Sequence, residues 1–408
     1  MDDMKVLGRT RTENNSLTTI VHTYSKDIGM EFGISKCATM AMKGGKMVDS
    51  EALELPDGME MPGLKVDESY KYLGMLESGT IKQEDMKVKA KEEYFRRVRK
   101  VLSSELNAGN SFHAINVWAV SAFRYSSGVL DWTKVELRDI DARTRKLLTM
   151  YKTHHPRAST ARLYLPRAEG GRGLMNIEQC VEEDEMSIAE YLRNSKEEIL
   201  RRVVDERIIK AEGLADDFKK LVHEQRLSKW KEKALHGQYL REVEQVASKQ
   251  DTFQWIKSGL LKRETEGFLI AAQDQALRTN AIKVKIDKQG GSPLCRLCGD
   301  KDETVEHLVS SCSKIAQTDY KGRHDRVATN LHWSLCKQFG FPRSEKWYEH
   351  QAEKGLENED YKLLWDFDIK TDRVIKERRP DIVIVNKKLR EALLIDVAIP
   401  GDVRVVSK

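Results

Sequence analysis

The sequence predicts an α+β protein, mostly helical, with a small Cys/His-ligated module and a β-rich C-terminal tail. Three observations predict it. Proline is absent from residues 63–155 and again from 167–292, and both spans are dense in Glu, Lys, Arg, Leu and Ala, which favour helix. Three of the six cysteines fall between Cys295 and Cys312. Two apolar, β-rich runs near the C-terminus flank a short basic stretch. At 408 residues the chain has the length for several domains and more than one hydrophobic core.

In chain order, residues 15–28 have helical periodicity, and Gly29 suits a left-handed C-cap. Residues 33–42 and 70–76 read as short strands separated by Gly-rich turns, so the first 80 residues are mixed α/β. Residues 156–173 read as a loop between the two helical spans, with Gly170, Gly171 and Gly173 close together. Residues 325–339 read as one helix whose apolar stripe is Val327, Leu331, Leu335 and Phe339. Residues 381–385 and 392–399 read as a hairpin of buried strands joined by a basic turn at 386–390. No internal repeat or low-complexity tract is present.

No run of about 18 apolar residues occurs, so no membrane span is expected. The opening Met1-Asp2-Asp3-Met4-Lys5 has no apolar signal core, and six cysteines without a regular framework fit a reducing compartment. The expected location is intracellular, nuclear or cytoplasmic. The net charge of +5 is modest but unevenly spread. Residues 138–172 hold nine Lys or Arg against three acids, and residues 87–100 hold seven against two. Two such stripes point to a phosphate-backbone partner.

The sharpest motif is Cys295-x2-Cys298-x8-His307-x4-Cys312. A C-x-x-C turn presents two thiolates to one ion, and the His and the third Cys close a tetrahedral shell around Zn²⁺. Gly299 permits the tight turn after the first pair. Cys37, Cys180 and Cys336 are expected to be buried bystander thiols. In the tail, Asp381 opens one strand and Asp396 sits between Ile395 and Val397 in the other. Inside an apolar strand an unpaired carboxylate would be costly. Two carboxylates on adjacent strands can converge on one Mg²⁺ and activate water against a phosphodiester. The arrangement resembles the PD-(D/E)xK nuclease pattern, although Ala398 stands where that pattern has lysine.

Taken in order, the motifs resemble the C-terminal half of a non-LTR retrotransposon reverse transcriptase polyprotein. Asp2-Asp3, the helix ending at Gly29, Ser35-Lys36-Cys37 and Tyr70-Lys71-Tyr72-Leu73-Gly74 resemble the order of a polymerase palm. There a Y-x-D-D turn supplies metal-binding carboxylates. Tyr164-Leu165-Pro166-Arg167 with Gly170-Gly171-Arg172-Gly173-Leu174 looks like the segment beyond the thumb. The knuckle, then Arg323-His324-Asp325, then Arg379-Pro380-Asp381 and Asp396, look like the tail of the site-selective elements with a restriction-like endonuclease.

The resemblance implies a palm remnant at 1–79, a thumb-like helical region at 80–175 and a helical linker at 176–290. A CCHC knuckle follows at 291–319, then a C-terminally truncated endonuclease at 320–408. It makes Asp2 and Asp3 the polymerase carboxylates and Asp381 and Asp396 the endonuclease Mg²⁺ ligands. Arg143, Arg145, Lys146, Arg167, Arg172, Arg323 and His324 become candidate contacts to RNA and DNA. Met1 falls where the second residue of Y-x-D-D would sit, and Lys408 precedes the family's lysine-bearing helix. Two-metal phosphoryl transfer needs both carboxylate positions. The expectation is therefore a fragment that keeps nucleic-acid and zinc binding without polymerase activity. The competing readings are a zinc-containing nucleic-acid-binding adaptor without catalysis and a stand-alone Mg²⁺-dependent endonuclease.

Overall fold

A computed structural model describes residues 3–206, 214–370 and 378–401. The chain is α+β with small antiparallel sheets. Among the described residues no helix is long and apolar enough to cross a membrane. Two compact units form, and they cut across the linear divisions expected from the sequence. One comprises Met1–Thr153, Leu163–Arg226 and Ser258–Glu264; the other comprises His154–Arg162, Leu227–Lys257 and Thr265–Lys408.

In the first unit the N-terminal helix runs Arg11–Asp27. It begins ahead of its apolar periodicity because Thr10 accepts from Glu13 N. Glu13 in turn accepts from Arg9 N at 2.7 Å, so both donors at the helix start are satisfied. Gly29, at φ 76°, ends it as expected. The two strands expected next are shorter and differently arranged. Residues 33–42 begin as a 3-10 turn, Ile34–Lys36; Thr39 bridges to Gly63, and Ala41–Lys43 pairs with Lys46–Val48. Gly44 and Gly45, at φ 60° and 77°, make the connecting hairpin turn. The run 70–76 is not one strand. Leu73 and Gly74, at φ 47° and 81°, fold it into a hairpin of Tyr70–Tyr72 against Met75–Ser78.

Helices then dominate, as the composition dictates: Gln83–Leu102, Ala108–Ala114, Val120–Ser127, Lys134–Met150 and Ile177–Arg193. Thr133 and Glu136 form a capping box at the start of Lys134–Met150. These helices bury Tyr94, Val98, Phe112, Ile115, Phe123 and Ile140 in one core. Each large side chain removed from water there contributes about 1.5–3 kcal/mol. Ile177, Cys180 and Val181 join the same core, so the start of the expected linker is integral to this unit.

The expected loop at 156–173 contains two helical turns, Thr160–Tyr164 and the 3-10 turn Arg167–Glu169. Its glycines have separate causes. Gly170 and Gly173 adopt φ 84° and 71°. At Gly171 a Cβ would fall 2.0 Å from the Leu165 carbonyl oxygen.

The second unit ends in a helix, Lys321–Phe339, packed on a four-stranded antiparallel sheet. Strand Ile382–Asn386 is central, pairing with Glu391–Ile395 on one side and Tyr361–Trp365 on the other; Gly355–Glu357 completes the sheet. The hairpin was legible in the sequence, but its two outer partners at 355–357 and 361–365 were not. The helix stripe is rotated from expectation. Val327 is 48% exposed, while Ala328, His332, Leu335 and Cys336 are buried. The second hairpin strand is also not buried: Leu393 and Leu394 are each 59% exposed. Among the described residues it is an edge strand, paired on one side only.

Candidate metal centre

The Cys295–Cys312 segment folds around its own cysteines. Gly299 N–H donates to the Cys295 carbonyl at 2.8 Å, and Cys295 N–H donates to Lys301 O at 2.7 Å. Gly299 takes φ 70°, closing the turn that brings Cys298 back toward Cys295. The short turn His307–Ser311 then carries His307 inward, with Cys312 directly after it. The four ligand atoms lie within 4.8 Å of one another. Cys295 Sγ and Cys312 Sγ are 4.0 Å apart, and Cys298 Sγ lies 3.3 Å from His307 Nε2. Zn–S of about 2.3 Å and Zn–N of about 2.0–2.1 Å in a tetrahedron require edges of about 3.8 Å and 3.5 Å. The donor set fits zinc.

The surrounding groups prepare those ligands. Ser311 Oγ lies 3.3 Å from His307 Nδ1, which leaves Nε2 facing the thiols. The Tyr320 hydroxyl accepts from Cys312 N at 2.8 Å and donates to Leu308 O at 3.0 Å, fixing both ends of the turn. Backbone N–H groups of Asp300 and Lys301 pull the Cys298 thiol down to about 6, which favours the thiolate. Glu303 is fully buried and accepts from Arg296 N, the Arg296 guanidinium and Asn280 N. The Arg296 guanidinium holds its carboxyl at about 2. Glu303, Ser311 and Tyr320 were not legible as parts of the centre, because their partners are set by the fold.

The carboxylates expected of the endonuclease lie at the end of the hairpin. The ladder closes on Ile382 opposite Ile395, so Asp381 and Asp396 are the next facing positions. Asp396 is exposed just past the strand end, not embedded in an apolar strand, and so escapes the desolvation cost expected for it. Asp381 Oδ2 accepts from Val397 N at 2.7 Å and lies 3.2 Å from His324 Nε2. His324 Nδ1 is 3.1 Å from Asp325. Burial pushes the His324 imidazole down, but the Asp325 and Asp381 carboxylates outweigh it and raise it overall. Thus the Arg323-His324-Asp325 and Pro380-Asp381 motifs, 57 residues apart, meet at one point. Of the two carboxylates expected for a polymerase, Asp3 is exposed and Asp2 lies outside the described residues.

The basic stretches are less available than their charge suggests. Arg172 was expected to face nucleic acid but is fully buried, its guanidinium donating to Thr153 O and lying 4.4 Å over the Phe112 ring. Arg323 is half-buried and donates to Val309 O at 3.0 Å, tying the last helix to the knuckle. Arg145 donates to the Tyr164 hydroxyl at 2.9 Å, and Arg167 is half-buried. Arg138 and Arg157 pair with Glu178 and Asp287, and Arg162 with buried Asp274. In the helix Gln83–Leu102, Lys87 and Lys91 share Glu136, while Arg96 and Arg97 share Glu93. Lys89, Arg99, Lys100, Arg143, Lys146 and Lys152 are exposed. The Arg143 guanidinium lies over the Phe95 ring at 4.4 Å and 4.0 Å from the Asp139 carboxylate.

Of the three expected bystander thiols, Cys180 is buried in the first core and Cys37 is half-buried. Cys336 is buried but not isolated: its Sγ lies 3.5 Å from His332 Nδ1. No protein-family model and no curated protein matches the chain.

Proposed function

We propose that this chain is a zinc-organised nucleic-acid-binding protein of the non-LTR retrotransposon polyprotein class. The observation that carries the reading is the convergence of Cys295, Cys298, His307 and Cys312 at tetrahedral ligand distances. Bound there, zinc supplies folding energy and holds the Cys295–Cys312 loop in one shape. The loop then offers exposed Leu294 and Leu297 to unstacked bases, with exposed Lys288 and Lys301 for phosphate. A groove of about 560 Å³ beside Cys295, lined by Asn280, Lys283, Ser292 and Arg296, has room for a base edge. The exposed cations of the first unit form a second, sequence-independent attachment to RNA or DNA backbone.

The test is binding of single-stranded RNA and DNA across a salt series. If exposed Lys89, Arg99, Lys100, Arg143, Lys146 and Lys152 each neutralise one phosphate, together they contribute about −4 to the slope of log K against log salt. Cys298→Ser removes the knuckle zinc and weakens binding while leaving that contribution to the slope in place. A flat salt response, or unchanged zinc content in Cys298→Ser, refutes the reading.

A second reading, Mg²⁺-dependent phosphodiester cleavage at the C-terminal sheet, is favoured by one observation: the cross-strand placement of Asp381 and Asp396 beside His324. Asp381 and Asp396 would hold the ion. Its test is nicking of supercoiled DNA with Mg²⁺, abolished by Asp381→Asn; nicking that persists in Asp381→Asn removes this reading.

A further inference from the structure

We propose a second metal site, of the zinc class, formed by His332, Cys336 and His350 in the C-terminal unit. It is independent of the knuckle and of the nucleic-acid reading. His332 and Cys336 are four residues apart on the helix Lys321–Phe339, so both project from one face. His350 directly follows the 3-10 turn Trp347–Glu349, on the loop that leads into strand Gly355–Glu357. His332 Nδ1 lies 3.5 Å from Cys336 Sγ and 2.8 Å from His350 Nε2, and the three donor atoms fall within 4.8 Å of one another. His332 and Cys336 are fully buried, and His350 is half-buried.

The cluster lies at the edge of a buried core. Cys336 belongs to an apolar core with Leu335, Phe341, Leu363, Ile382 and Ile384. His332 Nε2 is buried with no hydrogen-bond partner, and Nδ1 alone faces the other two donors. Trp365 stands edge-on to the His332 ring at 5.5 Å. That leaves Nδ1 as the one polar atom of His332 that is engaged, and both of its neighbours are metal-ligand types.

Tetrahedral zinc places an imidazole nitrogen and a thiolate about 3.5 Å apart and two imidazole nitrogens about 3.3 Å apart. The first edge is already met. The second needs the His350 loop to draw back by about 0.5 Å, less than a rotamer change. Nitrogen and sulfur donors select zinc and its borderline neighbours over Mg²⁺ or Ca²⁺, which take oxygen. Three protein donors leave one position for water or an outside ligand. The bound ion would tie the helix to the loop entering the sheet.

The full chain is loaded with excess Zn²⁺, desalted and analysed for metal, with Co²⁺ substitution read by absorption. Two equivalents are expected. Cys336→Ala and His350→Gln should each retain one. The cobalt–thiolate band of the three-cysteine knuckle should persist in both variants, reporting an intact fold. Cys312→Ser should retain the other equivalent and lose that band. One equivalent in the full chain, or a total unchanged by both Cys336→Ala and His350→Gln, overturns the site.

Discussion

Asp274→Ala separates the structural cations of this protein from those able to meet nucleic acid. Arg162 lies in the most basic part of the sequence, yet it and Asp274 are both fully buried, 3.0 Å apart. Asp274 also accepts from Ser159 N at 2.9 Å, and the Arg162 guanidinium lies 4.9 Å over Trp230. Removing the carboxylate takes the buried guanidinium's counter-charge at Asp274 away, at a cost of about 3–5 kcal/mol. The Ser159 N–H loses its acceptor as well, adding about 1 kcal/mol or more. In a unit of roughly 180 residues each kcal/mol moves Tm by about 2–4 °C, so a fall of about 10–20 °C is expected. Thermal unfolding followed by tryptophan fluorescence reads it, since Trp230 lies against Arg162. The double variant Arg162→Met with Asp274→Leu should recover most of the loss, because both charges of the buried pair are removed together. The salt dependence of nucleic-acid binding should not change. A Tm shift under about 2 °C for Asp274→Ala, or a double variant as unstable as the single, would refute the assignment.

The remaining predictions address other parts of the molecule. Burial raises the Asp141 carboxyl to about 6 from an ordinary 3.8, despite its hydrogen bonds from Ile177 N and Glu178 N. Its stabilising contribution is fully present below about 3.8 and is lost as pH rises through about 6. Wild type should therefore lose stability relative to Asp141→Asn between pH 4 and pH 7 in paired urea titrations; a constant difference contradicts this. Leu363→Ala, in the centre of the C-terminal sheet, should cost about 2–5 kcal/mol by denaturant unfolding, whereas Leu394→Ser on the exposed edge strand should cost under about 0.5 kcal/mol. Arg172→Ala should lower Tm and leave the salt slope of binding unchanged, while Arg143→Ala with Lys146→Ala should reduce that slope by about 1–2 with Tm unaffected.

Local chemistry made some of this protein legible from its sequence. The proline-free Glu/Lys/Leu spans became helices, Gly29 ended the first of them, and the spacing of Cys295, Cys298, His307 and Cys312 produced a ligand set at tetrahedral distances. Each of these depends on contacts within a short stretch, where residue type and spacing nearly fix the geometry. The two-residue turn at Leu73-Gly74 was readable on the same terms, and an unbroken strand at 70–76 overlooks it.

Tertiary structure decided everything that depends on distant neighbours. Charge counting cannot separate Lys146, left in solvent, from Arg172, stacked inside on Phe112, because a cation's role is set by whether an acid, a carbonyl or a ring reaches it. Nor does spacing along the chain show that His324 meets Asp381, or that His350 reaches His332 and Cys336. Those meetings arise only when the last helix packs on the sheet, since its burial against Leu363, Ile382 and Ile384 fixes which face turns inward. The sequence by itself determined the long helices, the C-terminal hairpin and the ligand spacing of the knuckle. The packing of remote segments determined which charged and metal-ligating side chains stand together.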